Sequence, residues 1–355
     1  MALPAGLEEL IRVFDGWAIV TRYDALSDAW IFVALHDDTL GPALGGTRMK
    51  VYETPAEGLR DAMRLARGMT NKWAALGAGY GGGKAVLALS HELDPEERKG
   101  LLARYAQLLN SLGGIFHTGQ DLGTTPEDIS FLSSISPHIH GAISGQPAQD
   151  PSPYTARGVL AGIRAAIAHV DGTDVLSGIS VAIQGIGNVG RRLASLLVAE
   201  GARVILCDVD RHRAESAARE LGGELVDAAE VFATPCDVFS PCAVGAILNE
   251  ATISQLKCRI VAGSANNMLA TPEDGERLHE RGILYVPDYV INAGGAIALG
   301  PLLHAGEEAR IARVDEIAGA VAGILAAARQ HNESPAAAVR RRVQRVLEEA
   351  RARHV

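Results

Sequence analysis

Two lysines, one aspartate and several glycine runs are the residues through which this 355-residue chain could do chemistry. Lys72 closes Gly68-Met-Thr-Asn-Lys72, and Lys84 closes Gly81-Gly-Gly-Lys84. A lysine after three glycines does not belong in a helix. The glycines let backbone and substrate come close, and are expected to place the ammonium at a turn. Two ammonium groups near one another repel, which lowers the pKa of the more buried one. One can then stay charged and hold a carboxylate while the other works as a base near neutral pH. Asp121 lies in the Gly-flanked stretch Thr118–Thr125, just before a helix start, where its carboxyl can shuttle a proton or pair with a lysine. The residues alone leave a plainer reading open, because lysines are mostly solvated and an Asp before a helix is often a cap.

A second constellation is Gly185-Ile186-Gly187-Asn188-Val189-Gly190, which follows an apolar run and opens a helical stretch. In such a fingerprint the first Gly makes a tight turn, the second lets backbone approach a pyrophosphate, and the third lets helix pack on strand. The phosphates then meet the free N–H groups of the helix N-terminus. Asp208 ends the next strand, where a carboxylate can hold both ribose hydroxyls and repels a 2′-phosphate. NAD is therefore expected rather than NADP, although Arg211 and Arg213 nearby leave room for some use of NADP. The plainer alternative is a structural turn with a solvated Asp.

The elements that must position these residues fall into two patterns. In the first half, Trp17–Thr21 and Trp30–His36 read as neighbouring strands. Thr54-Pro55, Asp94-Pro95 and Thr125-Pro126 open helices, each with acidic residues in the first turn. Beyond a Gly- and Pro-rich link at about 140–155, strands alternate with helices, which implies a parallel sheet with crossover helices. Its strand candidates are Ser180–Gln184, Arg203–Cys207, Asp237–Ser240, Arg259–Ala262 and Leu284–Val286, and Ala336–Arg353 is a long amphipathic helix. Two α/β domains follow: a mixed substrate-binding and oligomerisation domain over 1–145 plus the C-terminal helix from about 333 to 355, and a Rossmann doubly wound parallel-sheet domain over 146–332. A cleft is expected to separate them.

The formal net charge of -9 argues against nucleic acid or an anionic membrane as partner, since both need a basic face. Arg340-Arg341-Arg342 is accordingly read as one solvated helix face. Cys207, Cys236, Cys242 and Cys258 form no C-x-x-C pair and no cluster at zinc spacing, so reduced thiols and no metal are expected. The start, Met1-Ala-Leu-Pro-Ala, lacks the pattern of a signal peptide, and no stretch approaches the ~20 apolar residues of a membrane span. The chain is expected in the cytoplasm.

At these residues the sequence resembles the family of glutamate, leucine, valine and phenylalanine dehydrogenases, most of all its leucine and phenylalanine branch. The resemblance rests on Leu40–Met49, Gly68–Lys72, Gly81–Lys84, Gly119–Thr125, Thr155–Gly158, Gly185–Gly190, Pro235–Ala243, Ala262–Asn267 and Pro287–Gly295, in that order along nearly the whole chain. It implies NAD-dependent oxidative deamination of an L-amino acid to a 2-oxo acid and ammonium, in a homo-oligomer. It implies that Lys72 binds the substrate carboxylate with the Gly45-Gly46 backbone, that Lys84 activates water, and that Asp121 exchanges protons with the amino group. Thr155 would hold the nicotinamide carboxamide, Cys242 and Ala243 would flank the cofactor, and Asn266 or Asn292 would line the cofactor–substrate cleft.

Leu44, Gly119, Gln120, Ala296 and Leu299 should, by the same resemblance, face the substrate side chain. They are apolar or small apart from Gln120, which disfavours glutamate and fits a non-polar substrate, aromatic (phenylalanine, tryptophan) or branched-chain (leucine, valine). Gly119 in place of an Ala is expected to deepen the pocket towards aromatic rings. After Leu299 the chain departs from the family pattern with Gly300-Pro-Leu-Leu-His-Ala-Gly306. Two other readings remain: a Rossmann enzyme acting on a 2-hydroxy acid, for which His279, His304 and His331 offer no clear base pair, and a non-catalytic NAD-responsive binding protein, which has no need of Lys72, Lys84 and Asp121 together.

Overall fold

The computed structural model describes residues 7–143 and 147–353. The expected domain boundary between 145 and 146 lies outside the described residues. In chain order the elements are α1 (Leu7–Phe14), β1 (Ala18–Asp24), β2 (Ala29–Asp37), β3 (Ala43–Val51), α2 (Pro55–Leu76), β4 (Gly81–Leu89), α3 (Pro95–Ser111), β5 (Phe116–Gln120) and α4 (Pro126–Ser133). They continue with α5 (Ser152–Asp171), β6 (Ser180–Gln184), α6 (Asn188–Ala199), β7 (Arg203–Cys207), α7 (Arg211–Leu221), β8 (Glu224–Leu225), β9 (Val238–Pro241), α8 (Glu250–Gln255) and β10 (Ile260–Val261). The last are α9 (Glu273–Glu280), β11 (Leu284–Tyr285), α10 (Asp288–Ile291), α11 (Gly294–Leu299), α12 (Glu307–Asp315), α13 (Ile317–His331) and α14 (Pro335–Arg353).

The chain divides into two compact units. The first comprises the chain up to Asp150, Leu299–His304 and the chain from Val343 on; the second comprises Pro151–Ala298 and Ala305–Arg342. Helix α14 is thus shared, its residues through Arg342 belonging to the second unit, and Leu299 belongs to the first.

The first unit is a five-stranded mixed sheet of order β1-β2-β4-β3-β5, with β3 parallel to both β4 and β5. Alternation along β4 sorts its side chains. Val86 and Ala88 pack with Leu59, Ala62, Met63 and Ala66 of α2, while Ala85, Leu87 and Leu89 pack with Leu101, Tyr105 and Leu109 of α3 and Ile129 and Leu132 of α4. Each such large side chain, fully buried, contributes roughly 1.5–3 kcal/mol. The helices start where local chemistry directs. Thr54 accepts from the Glu57 N–H, and Asp94 with Glu97 and Thr125 with Asp128 form reciprocal capping boxes.

The second unit is a six-stranded parallel sheet of order β11-β10-β9-β6-β7-β8. Counted from β6, this is the doubly wound order 3-2-1-4-5-6, in which ligands bind beyond the carboxyl ends of the strands where the order reverses, here between β6 and β9. Among the described residues, no helix is long and apolar enough to cross a membrane.

Candidate active site

Lys84 does not sit at a turn. It is the fourth residue of β4, in the middle of the sheet, and its side chain is only 6% exposed. The glycines before it are required by what packs against the strand. A Cβ on Gly82 would lie 2.0 Å from Thr70 Oγ1 on α2, and one on Gly83 would lie 2.7 Å from the Phe116 ring. The strand runs so close to α2 and β5 that nothing larger fits.

The ammonium points at Asp121, with Lys84 Nζ 3.2 Å from Asp121 Oδ2. Asp121 follows the end of β5. Its loop is tied to β3, because Thr124 Oγ1 accepts from the Asp121 N–H and donates to the Thr47 carbonyl, and the Met49 N–H donates to Leu122 O. Gly46 leaves the passage between the two groups open. A Cβ there would lie 2.9 Å from Asp121 Cβ and 3.3 Å from Lys84 Nζ. Gly45 is closer still to its neighbour, since its Cβ would meet Gly83 O at 1.8 Å.

A residue absent from the sequence expectations completes this cluster. Arg48 donates from Nε to Asp121 Oδ2 at 2.9 Å and from Nη1 to Asp61 Oδ2 at 2.8 Å. Asp61 also accepts from Tyr52 OH and Arg64. Arg48 lies inside the Leu40–Met49 motif, but its partners are 13 and 73 positions away and nothing local announces them.

The electrostatics follow from this packing. Burial pushes the Lys84 ammonium below the ordinary lysine pKa; Asp121 opposes that and Arg48 adds to it. Burial is the largest cause, and Arg48 is a repelling cation beside Lys84. Burial alone would raise the Asp121 carboxyl, but Lys84 and Arg48 outweigh it and hold the group below its ordinary value. A buried lysine poised towards neutrality beside a buried carboxylate suits proton transfer.

The remaining expected substrate residues are distributed as follows. Lys72 is half-buried on α2, two residues beyond the Thr70 that packs on Gly82. Leu44 is buried on β3, and its carbonyl accepts the Trp73 indole N–H at 2.9 Å. Gly119 is level with Gly46 across β3 and β5. A methyl on Gly119 would lie 3.0 Å from His140 O, so the space that a Gly vacates is taken in part by the His140 backbone. The pocket is not simply deeper there. Gln120 donates to the Thr124 carbonyl. Leu299 is buried in the first unit, and Ala296 is half-buried in the second.

In the second unit Gly185 takes a positive φ of 98° directly after β6, and its Cβ would meet Ala243 Cβ at 2.6 Å. A Cβ on Gly190 would meet Gly185 O at 1.9 Å and Cys242 Cβ at 3.3 Å. Cys242 and Ala243, just beyond β9, thus back the fingerprint loop, and the Cys242 N–H donates to Gln184 O. Gly187 is different: a Cβ there meets nothing within 4 Å. Gly187 also caps α6 without any side-chain hydrogen bond, ahead of Asn188 and Val189. Open space at an uncapped helix N-terminus is what a pyrophosphate requires. Asp208, 4% exposed, accepts from the Ile186 N–H at 2.7 Å and from the Asp210 N–H at 2.9 Å. Each carboxylate oxygen keeps a lone pair for a ribose hydroxyl. Arg213 stands 3.4 Å away. These residues fit a dinucleotide.

Asn266 and Asn292, expected as alternatives, are joined to each other: Asn292 Nδ2 donates to Asn266 Oδ1 at 2.7 Å. Thr155, in the first turn of α5, donates to the Pro151 carbonyl at 3.1 Å and packs against Gly295. Among the described residues no group of three His, Cys, Asp or Glu side chains could hold a metal ion.

A dinucleotide-type Rossmann unit joined to a mixed-sheet unit that buries a lysine–carboxylate pair defines a class of oxidoreductase in which protons and a hydride are moved together. Residues 25–136 match the Glu/Leu/Phe/Val dehydrogenase dimerisation domain, and residues 206–301 match the glutamate/leucine/phenylalanine/valine dehydrogenase domain. The chain is 39% identical to a leucine dehydrogenase of Geobacillus stearothermophilus over 92% of its own length and 89% of that protein. It is 40% identical to a phenylalanine dehydrogenase of Lysinibacillus sphaericus over 82% and 78%. The crystal structure of L-tryptophan dehydrogenase from Nostoc punctiforme superposes with a TM-score of 0.84 at 34% identity, covering 97% of this chain and 99% of that one. The chain belongs to the Glu/Leu/Phe/Val dehydrogenase family.

Proposed function

We propose that the protein oxidatively deaminates a non-polar L-amino acid, aromatic or branched-chain, to the 2-oxo acid and ammonium, with NAD as hydride acceptor. The observation that carries this reading is the buried Lys84–Asp121 pair at 3.2 Å in a chain of this family. Its relatives include leucine and phenylalanine dehydrogenases. The buried apolar Leu44 and Leu299 offer nothing to a second carboxylate, which would be costly to desolvate unpaired.

When bound, the nicotinamide supplies acceptance of the hydride from Cα. In this reading Lys72 holds the substrate carboxylate, with the bare backbone at Gly45 and Gly46 beside it. Asp121 takes a proton from the amino group as the Cα–H bond breaks and a C=N bond forms. Lys84, with its charge disfavoured by burial, takes a proton from water as the water oxygen bonds to the imine carbon. That proton then passes to nitrogen, the C–N bond breaks, and Lys84 takes the hydroxyl proton as the carbonyl forms and ammonia leaves. Thr155 orients the nicotinamide carboxamide, and the Asn266–Asn292 pair lines the reacting end. Asp208 favours NAD, because a 2′-phosphate would face its charge.

A homo-oligomer suits a first unit that matches a dimerisation domain. Four free cysteines suit the reducing cytoplasm.

The test is formation of reduced nicotinamide with a panel of L-amino acids at alkaline pH, run with NAD and NADP side by side. Turnover of leucine, valine, phenylalanine or tryptophan with NAD is expected. Binding of NAD without turnover, or turnover of a 2-hydroxy acid instead, would overturn the reading.

A further inference from the structure

Asp288 is a buried carboxylate that the mechanism above does not use. It lies in the second unit, at the start of α10, and is bonded to both sides of the Asn266–Asn292 pair. Its side chain reaches the turn that carries Asn266, where Oδ2 accepts from the Met268 N–H at 2.7 Å. Its carbonyl accepts from the Asn292 N–H at 3.0 Å, at the other end of the same short helix. The carboxylate is itself held in place. Oδ1 accepts from the Tyr289 N–H at 2.6 Å, and the Asp288 N–H donates to the Tyr285 hydroxyl at 3.2 Å.

The turn needs such a hold. Asn267 has a φ of 51°, a left-handed conformation that is costly for a residue with a side chain, although less so for Asn than for most. Its carbonyl accepts from the Ala246 N–H at 2.6 Å, and Ala246 itself has a φ of 57°. Backbone of this kind persists only where the surroundings over-determine it. Here the hold comes from two directions: the loop after β9 engages the Asn267 carbonyl, and Asp288 engages the Met268 N–H.

What the turn presents follows from hydrogen-bond polarity. The Ser264 carbonyl can only accept, so the end of Asn292 that faces it at 3.2 Å is Nδ2. The same Nδ2 lies 2.7 Å from Asn266, so the Asn266 atom there is the acceptor Oδ1. Asn266 is exposed, and the end it can offer a ligand is therefore its amide nitrogen, which carries two donors.

We propose that Asp288 is a positioning residue of the dehydrogenation: by tying the Asn266–Met268 turn to α10, it sets the Asn266 amide so that its donors meet an acceptor oxygen at the reacting end. The inference rests on the dehydrogenase reading above, which puts the asparagine pair at that end. Removing the carboxylate takes the acceptor from the Met268 N–H and lets the turn relax. Asn266 then shifts, although no group that touches substrate or cofactor has been removed.

The test is a double-mutant cycle on kcat/KM, measured with the most active amino acid of the panel and saturating NAD. Asp288→Ala and Asn266→Ala should each lower it about tenfold or more, since a small misplacement at the reacting end costs up to about a hundredfold. The double variant should stay within about twofold of Asn266→Ala alone, because Asp288 then has nothing left to position. Asp288→Asn keeps one acceptor oxygen for the two N–H groups and should fall between wild type and Asp288→Ala. A residue that only holds the fold would lower Tm and multiply its loss with that of Asn266→Ala, and that result overturns the inference. So does wild-type kcat/KM in either single variant. If Asp288→Ala does not fold, Asp288→Asn takes its place in the cycle and is read in the same way. Multiplied losses in an enzyme whose wild type is active leave the dehydrogenase reading standing, whereas a wild type that turns over no amino acid overturns both.

Discussion

Arg48 Nε lies 2.9 Å from Asp121 Oδ2, the same oxygen that faces the Lys84 ammonium. One carboxylate oxygen thus receives two cations, and the second arm of Arg48 is held by Asp61. A guanidinium stays charged at any working pH, so the proton that moves in this trio is on lysine or aspartate. Arg48 thereby acts on both without taking part: it disfavours charge on Lys84 and favours charge on Asp121.

Replacing Arg48 by Met keeps the aliphatic stem and removes the charge. Lys84 then loses a repelling cation and its pKa rises. Asp121 loses an attracting cation and its pKa rises too. The proposed mechanism uses Lys84 as a neutral base, so the acid limb of kcat/KM should move to higher pH and activity at neutral pH should drop about tenfold or more. The measurement is the pH profile. A uniform loss with an unmoved limb would show that Arg48 serves only to hold the fold.

Lys84→Ala should lower kcat by a factor of about a hundred to ten thousand, the range for loss of a positioned acid–base group. Binding of NADH, whose proposed residues lie in the second unit, should stay nearly intact when followed by fluorescence titration. Lys84→Arg should not restore turnover, since an arginine cannot become a neutral base. Wild-type turnover in Lys84→Ala would remove Lys84 from the mechanism.

What the sequence disclosed and what it hid divide along sequence distance. The capping residues Thr54, Asp94 and Thr125 and the Gly185–Gly190 loop were legible because each depends on a strand, a turn and a helix adjacent in the chain. Three glycines usually mark a turn, and in the sequence Lys84 reads as lying at one. The glycines are instead imposed from outside, by Thr70 on α2 and Phe116 on β5. Arg48 carries no local mark, since its partners come from a helix and from the far end of another strand. The Asn266–Asn292 bond is equally a product of tertiary packing.

The fingerprint glycines should separate by assay. Gly190→Ala puts a methyl 1.9 Å from Gly185 O, against backbone that cannot swing away. Overpacking of this kind costs about 1–3 kcal/mol or more, so its Tm should drop by several degrees. Gly187→Ala adds a methyl to open space and should leave Tm unchanged. If the pyrophosphate lies there, Gly187→Ala weakens NADH binding about tenfold or more, because the methyl occupies the approach. Unchanged NADH affinity in Gly187→Ala would place the phosphates elsewhere.

Asp208 offers the sharpest separation of cofactors. It is almost fully buried, accepts two backbone N–H groups and sits 3.4 Å from Arg213. Asp208→Ser keeps a hydroxyl for those N–H groups, removes the charge that repels a 2′-phosphate, and releases Arg213 to meet one. The ratio of kcat/KM for NADP over NAD should rise by about a hundredfold, since juxtaposed like charges cost several kcal/mol. Most of the change should come from gain with NADP and a moderate loss with NAD, measured with one amino acid at fixed ionic strength. Adding Arg213→Ala should cancel much of the gain with NADP, because the freed guanidinium supplies the attraction. A wild-type enzyme that already uses NADP as well as NAD would mean that Arg213 outweighs Asp208 from the start, and the double variant would then lose NADP selectively.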